Sequence, residues 1–249
     1  MSTVAARHLA RLPHWMTRWI GYRASRPPST PHRIIILLWS FLGAFTGMTA
    51  LFMIFGRTRH FQARHVPPII ASFAASAVLC FNAIQAPFSQ PRALVGGHLL
   101  SALIGVCIRK LFAMLPAAKY EDLRWLSGAL SCATAIVAMD VTGTTHPPAG
   151  ATALLATSSD EIAEIGWLYI PVVLLSSVVV LATALVNNNV QRRYPVYWIS
   201  PAPPATAAAA STSQPDSRDS TEPLAANAQK SGSASLYRSS TDAELAEKV

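Results

Sequence analysis

The sequence predicts an all-α fold: a polytopic transmembrane helix bundle with four full spans plus two Pro-Pro half or broken helices. Three observations carry this. Hydrophobic residues make up 51% of the 249 and charged residues only 13%, against about 25% charged in an ordinary soluble domain. Long stretches carry no charge at all. The charges that remain bracket those stretches. Residues 1–120 hold thirteen Lys/Arg and no acid, the first carboxylate being Glu121. A soluble enzyme, a disordered chain and a disulfide-stapled secreted domain are all poor fits to this composition. A net charge of +8 and a pI near 9.9 do not indicate nucleic acid, because the cations flank apolar runs and form no basic face beside aromatics.

Residues 1–33 form a basic head with Arg7, Arg11, Arg18, Arg23, Arg26 and Arg33. It has no signal-peptide core. An Arg-rich, acid-free head also fits a mitochondrial presequence, but Leu12, Trp15, Trp19 and Ile20 favour a short helix on a membrane surface. The transmembrane body covers 34–191. Ile34–Gly56 is uncharged and about 35 Å long as a helix, enough to cross a hydrocarbon core of roughly 30 Å. Val66–Pro91 is uncharged and opens with Pro67-Pro68. Ala93–Leu115 carries only Arg109 and Lys110, which can snorkel. Trp125–Val141 carries one acid, Asp140. Pro147–Thr157 is a shorter run after a second Pro-Pro. Ile165–Gln191 is uncharged. Residues 192–200 are a basic, aromatic border, and 201–249 read as a disordered tail rich in Ala, Ser, Thr and Pro.

These six apolar elements fall into two trios, each a long helix, a Pro-Pro run of small residues and a second long helix. That pattern points to an internal repeat whose halves are inverted if each trio crosses an odd number of times. The Pro-Pro elements either cross as broken helices or turn back as re-entrant ones. Either way both termini share one side, which the positive-inside rule makes cytoplasmic or its equivalent in an organelle inner membrane. The basic loop Arg57–His65 falls on the wrong side for that rule.

The richest segment runs from Thr142 to Thr152. A helix starting at Pro147-Pro148 has a buried N-terminus, and helix N-termini attract anions. Thr144, Thr145 and His146 stand at its entrance as donors, and Gly150 admits a close neighbour. Arg92 is placed to attract anions at a pore mouth. His98, beyond Gly96-Gly97, lies inside a span, where an ionisable group is a candidate for ligand binding or proton relay. Asp140 is a second relay candidate: buried, it would carry a proton or pair with Arg92 or His98, and at the interface it would be solvated. Asn82 and Gln85 are weak candidates for lining a cavity, and Asn187, Asn188 and Asn189 read as a helix end. For each of these the competing reading is a capping, interhelical or interfacial role without a ligand. Cys80, Cys107 and Cys132 sit in apolar runs and read as buried small residues. No spacing of His, Cys or carboxylate suits a metal, no cofactor fingerprint is present, and no catalytic constellation appears.

The run from Thr142 to Thr157, with His146-Pro147-Pro148 at its centre, resembles the signature of the HPP family of integral membrane proteins. IIASFAASAVLCF (69–81) and SQPRALVGGHLLSALIGV (89–106) fit the same pattern, and LPHWMTRWIGYR (12–23) is similar to fungal members. The resemblance implies four spans, and so favours re-entrant Pro-Pro elements. Because some members are implicated in nitrite transport, it also implies a small-anion transporter or channel. The expected partners are membrane lipid and a small inorganic anion, with a homo-oligomer left open. The alternative is a non-transporting membrane scaffold or assembly protein that binds partners through its tail.

Overall fold

The computed structural model describes residues 32–200, together with Thr17 and Trp19. The rest of the basic head and the whole tail lie outside the described residues. All described residues belong to one unit, Met1–Pro203. Among them every regular element is helical. The long helices are α1 (Arg33–Arg57), α4 (Gly97–Phe112), α5 (Ala117–Thr142) and α8 (Tyr169–Asn188), with short helices α2 (Arg59–Gln62), α3 (Ser72–Ala77), α6 (Pro147–Ser158) and α7 (Asp160–Ile165) between them. A π-helical turn, Val78–Asn82, prolongs α3, and another, Arg92–Gly96, leads into α4. Four segments are long and apolar enough to span a membrane: Arg33–Arg57, Arg92–Phe112, Ala117–Thr142 and Asp160–Asn188.

The contacts between helices show where the two Pro-Pro elements go. Pro68 packs beside Gly56, near the C-terminal end of α1. The π-turn that closes this element lies at the other end of α1, where the Ser40 hydroxyl donates to the Phe81 carbonyl at 2.9 Å. Those two levels are about 24 Å apart along α1, at 1.5 Å per residue. For α6, Thr144 and His146 pack on Gly96 and Gly97, while Arg124 holds the Thr157 and Ser158 carbonyls at 3.2 and 2.9 Å. Arg124 and Thr142 are about 27 Å apart along α5. Both elements therefore run from one end of the bundle to the other as broken helices beside the four long spans, where the re-entrant alternative had them turning back. The start of α1 and the end of α8 share one end, joined by the Trp39 indole donating to Gln191 Oε1 at 2.9 Å.

Local chemistry explains the breaks. Gly143 closes α5 at φ 61, with Gly143 N–H to the Asp140 carbonyl and Thr144 N–H to the Met139 carbonyl, a Schellman motif that needs a left-handed residue. His146 is extended, at φ −137 and ψ 101, as the residue before a proline prefers. Pro147 then starts α6 with the φ a helix requires. At its far end, Arg124 sits on the last carbonyls of α6 and pairs with Asp160 in the first turn of α7. A cation at a C-terminus and acids at an N-terminus both oppose the local helix dipole.

The packing repeats itself under exchange of the two trios. Each first helix lies on the last helix of the other trio, α1 on α8 and α5 on α4. Each Pro-Pro helix lies on the first helix of its own trio and the last helix of the other, α3 on α1 and α8, α6 on α5 and α4. The pairs α4–α8 and α3–α6 close the set. Each trio makes three passages, so the halves run in opposite senses. Close approach relies on small residues, as membrane helix interfaces generally do. A Cβ on Gly105 would lie 2.6 Å from the Ala153 carbonyl oxygen and 2.7 Å from Ala156 Cβ, whereas one on Gly150 would meet Cys132 Sγ at 3.7 Å. Outward faces are apolar, with Phe41 and Phe45 on α1 and Ile136 and Val137 on α5 all exposed.

Gly105→Ala is expected to destabilise the protein by about 1–3 kcal/mol, the usual cost of overpacking. Gly150→Ala should change stability little. Thermal unfolding of detergent-solubilised protein checks both, and equal effects would contradict the α4–α6 packing.

Candidate functional site: a buried imidazole–hydroxyl node

The two Pro-Pro helices meet α4 at a group of polar side chains sealed in the bundle. Ser76, His98, His146 and Thr152 have no exposed surface, and Ser72 has 2%. Ser76 Oγ lies 2.8 Å from His98 Nε2 and 2.9 Å from His146 Nε2. His146 Nδ1 lies 2.7 Å from the Phe88 carbonyl oxygen. His98 Nδ1 lies 2.8 Å from Thr152 Oγ1. The Thr152 hydroxyl donates to Ser72 Oγ at 2.8 Å, and the Tyr169 hydroxyl of α8 donates to the Thr152 carbonyl at 3.0 Å. The Phe73 ring stacks on His98 with centroids 4.3 Å apart, and the two imidazoles meet edge to face at 4.9 Å.

Each member comes from an element whose sequence places it there. Ser72 and Ser76 are one turn apart on α3 and share a face. His98 sits in the first turn of α4 behind Gly97, where an added Cβ would come within 2.7 Å of the Thr144 carbonyl oxygen. His146 and Thr152 come from the entrance and middle of α6. When the two Pro-Pro pairs are superposed, Ser72 falls on Thr152, so the hydroxyl pair sits where the two halves of the repeat are related.

A second polar cluster ties the π-turn and the loop after it to the end of α8. Asn187 donates to the Trp39 carbonyl and Asn188 to the Cys80 carbonyl, at 2.9 and 2.8 Å. Asn189 holds both the carbonyl and the N–H of Tyr194. Gln90 donates to the Ile84 and Ala86 carbonyls and accepts from Val196 N–H. The Tyr194 hydroxyl donates to the Ser89 carbonyl at 2.6 Å, and burial pushes that phenol well above its ordinary value. Arg192 donates to the Phe81 carbonyl, and burial lowers its value. Trp19 of the head is helical, and its carbonyl accepts from Asn189 at 3.3 Å.

The model of the HPP transmembrane region matches residues 29–195. The chain belongs to the HPP family. It is 36% identical over 187 residues to a transmembrane protein of Dictyostelium discoideum, covering 74% of this chain and 63% of that one. It is 40% identical over 164 residues to a second transmembrane protein of the same organism, covering 64% of this chain and 50% of that one. The chain thus spans between half and two-thirds of the length of these relatives. No solved structure matches it.

Of the residues singled out from sequence, the HPP fold brings His98 and His146 together across Ser76. It leaves Gly150 buried in the α6 packing. It does not leave the α6 N-terminus open as an anion site in this conformation. Pro147 and Pro148 have no N–H to offer, and Ala149 N–H is taken by the His146 carbonyl at 2.8 Å. His146 is the N-cap residue, yet its ring makes no capping bond. Thr144 Oγ1 pairs with Thr142 Oγ1 at 2.7 Å, and Thr145 is half-buried. Arg92 is exposed and spends its guanidinium on the Thr142 carbonyl at 2.5 Å and the Ile199 carbonyl at 3.3 Å. Asp140 takes the solvated alternative: it is exposed, and it pairs with neither Arg92 nor His98. The buried stripe of α5 is Ser127, Ser131, Ala135 and Met139, and Asp140 lies one residue, about 100°, off it. Asn82 and Gln85 are exposed too. Sequence reasoning passed over Ser72, Ser76, Thr152 and Tyr169. The one available signal was the alignment of the two Pro-Pro pairs, which sets Ser72 on Thr152. Ser127 and Ser131 are fully buried, and their hydroxyls have no hydrogen-bond partner.

Thr152→Val keeps the side-chain shape and strands His98 Nδ1 and Ser72 Oγ. It is expected to cost about 1–3 kcal/mol, read as a lowered thermal midpoint in detergent. An unchanged midpoint would remove the node from the account of stability.

Proposed function

We propose that this HPP protein is a transporter of a small monovalent inorganic anion, nitrite being the type. The observation that carries the reading is Ser76 Oγ held between His98 Nε2 and His146 Nε2. Two imidazole nitrogens converge on one oxygen, in a site shut off from water. An anion oxygen taking that place receives an imidazolium hydrogen bond, which is stronger than a neutral one. It meets no fixed guanidinium that would trap it. The inverted trios supply the rest. Irregular backbone at membrane depth is tolerated where it lines a cavity, and transporters with inverted repeats bind substrate between their halves on broken helices. The node joins α3 of one trio to α6 of the other, so rocking of the trios opens it to one end at a time.

The flanks fit this route. The exposed Arg92 stands at one end. Toward the other end, the inward hydroxyls of Ser131 and Ser127 and the Arg109 Nε are buried and unpartnered. They are donors without acceptors, as a transient anion requires. In this reading the small substrate is bound at the node itself, with Thr144 and Thr145 at its entrance.

Reconstituted in liposomes, the protein is expected to give saturable nitrite uptake above the leak of protein-free vesicles. His146→Ala and Ser76→Ala should each lower uptake at least tenfold while the protein still inserts. Uptake equal to the leak with folded, oriented protein would sink the proposal and favour the scaffold alternative.

A further inference from the structure

The hydrogen bonds of the node set where its protons can sit. The Phe88 carbonyl can only accept, so His146 Nδ1 carries a hydrogen. The Thr152 hydroxyl gives its only hydrogen to Ser72, so Thr152 Oγ1 must accept from His98 Nδ1. In this arrangement both imidazoles hold a hydrogen on Nδ1, and both present Nε2 to Ser76. Ser76 has one hydrogen, for which the two nitrogens compete with the Ser72 carbonyl at 3.2 Å. If both rings are neutral and both keep their hydrogen on Nδ1, one Nε2 lone pair faces an oxygen lone pair at under 3 Å. One added proton removes that conflict: it sits on either Nε2, and the Ser76 hydroxyl turns to the other. A second would place two cations with ring centroids 4.9 Å apart, which their repulsion disfavours. Losing the added proton has a defined relaxation. Ser76 donates to His146, His98 shifts its hydrogen from Nδ1 to Nε2, and the Thr152 and Ser72 hydroxyls reverse. No step leaves a buried polar atom unpaired.

We propose that His98, Ser76 and His146 form a site for one shared proton, and that the protein carries one proton with each anion, as an electroneutral symporter. This rests on the anion-transport reading above. The balance is simple: one proton and one monovalent anion enter the node from one side and leave to the other, with no bond made or broken in the anion. No other ionisable group bonds to the imidazoles among the described residues. Among the described residues, the other ionisable side chain bonded to a node residue is Tyr169, whose hydroxyl is spent on the Thr152 carbonyl. Asp140 and Arg92 are exposed and bonded to neither ring. The proton has no counter-charge from the protein, so the anion supplies it.

Two experiments on the full chain separate this inference from the transport reading. In proteoliposomes, an inward proton gradient should drive nitrite toward a ratio of roughly tenfold per pH unit, at an initial rate well above the nitrous acid leak of protein-free vesicles under the same gradient. A potassium–valinomycin potential should leave that ratio unchanged. Accumulation that follows the potential and ignores the pH gradient would overturn the symport while sparing transport. Nitrogen NMR of protein labelled at histidine, assigned with His98→Gln and His146→Gln, reads the proton site directly whether or not any flux is found. The expected result is uptake of one proton by the pair, with His98 Nδ1 gaining its hydrogen in the same step. Ser76→Thr should keep that coupling and Ser76→Ala should break it. Two protons taken up together, or a His98 tautomer indifferent to the titration, would overturn the shared site.

Discussion

Everything in this bundle leans on one hydroxyl, Ser76, which stands between two imidazoles where no water reaches. Lipid cannot hydrogen-bond a stranded polar group, so most buried donors and acceptors find protein partners. That constraint explains why the node is a closed circuit running from the Phe88 carbonyl to Ser72. It also explains why the circuit draws on three helices and a loop, because no single helix can supply both ends. A circuit whose hydrogens can all turn together has two satisfied arrangements, and a two-state element is what the proposed transport requires.

The second constraint is the pairing of the trios. Each Pro-Pro helix is gripped by its own first helix and the last helix of the other trio, so the node lies where the two halves meet. The two polar clusters differ in kind. The asparagine, Gln90 and Tyr194 cluster mostly joins side chains to backbone carbonyls and fixes the end of α8 against the π-turn after α3. The node joins side chains to side chains, and such bonds exchange at little cost when every partner has an alternative.

Much of the fold was legible in the sequence, because uncharged runs of membrane length and paired prolines leave plain marks. The six apolar elements, the four long spans and the candidates His98 and His146 all follow from such marks, and the inverted trios follow from their order. The paths of the Pro-Pro elements were not legible, since a run of 11 or 12 helical residues is short for a crossing and the extended residues before it have no signature. Ser72, Ser76 and Thr152 were hidden for another reason. In a run such as SFAASA a serine looks like any small residue that lets helices approach, and its partners lie 22 to 80 positions away. The anion-binding N-terminus failed on chemistry that was visible in advance, because a helix opening with two prolines lacks the very N–H groups that such a site uses. Asp140 could be read as buried because its neighbours along the chain are apolar, whereas burial on a helix is set by angle.

The central claim is that the node opens during function, and a reversible lock tests it most directly. Ser72→Cys and Thr152→Cys, in a chain whose Cys80, Cys107 and Cys132 have been replaced, put two thiols where the hydroxyls now lie 2.8 Å apart. Oxidation should join the two halves of the repeat at their centre. The account predicts that nitrite uptake by the oxidised proteoliposomes falls to the leak and returns when the bond is reduced. Uptake by the cross-linked protein at the rate of the reduced one would contradict it, because the anion would then be crossing without parting α3 from α6.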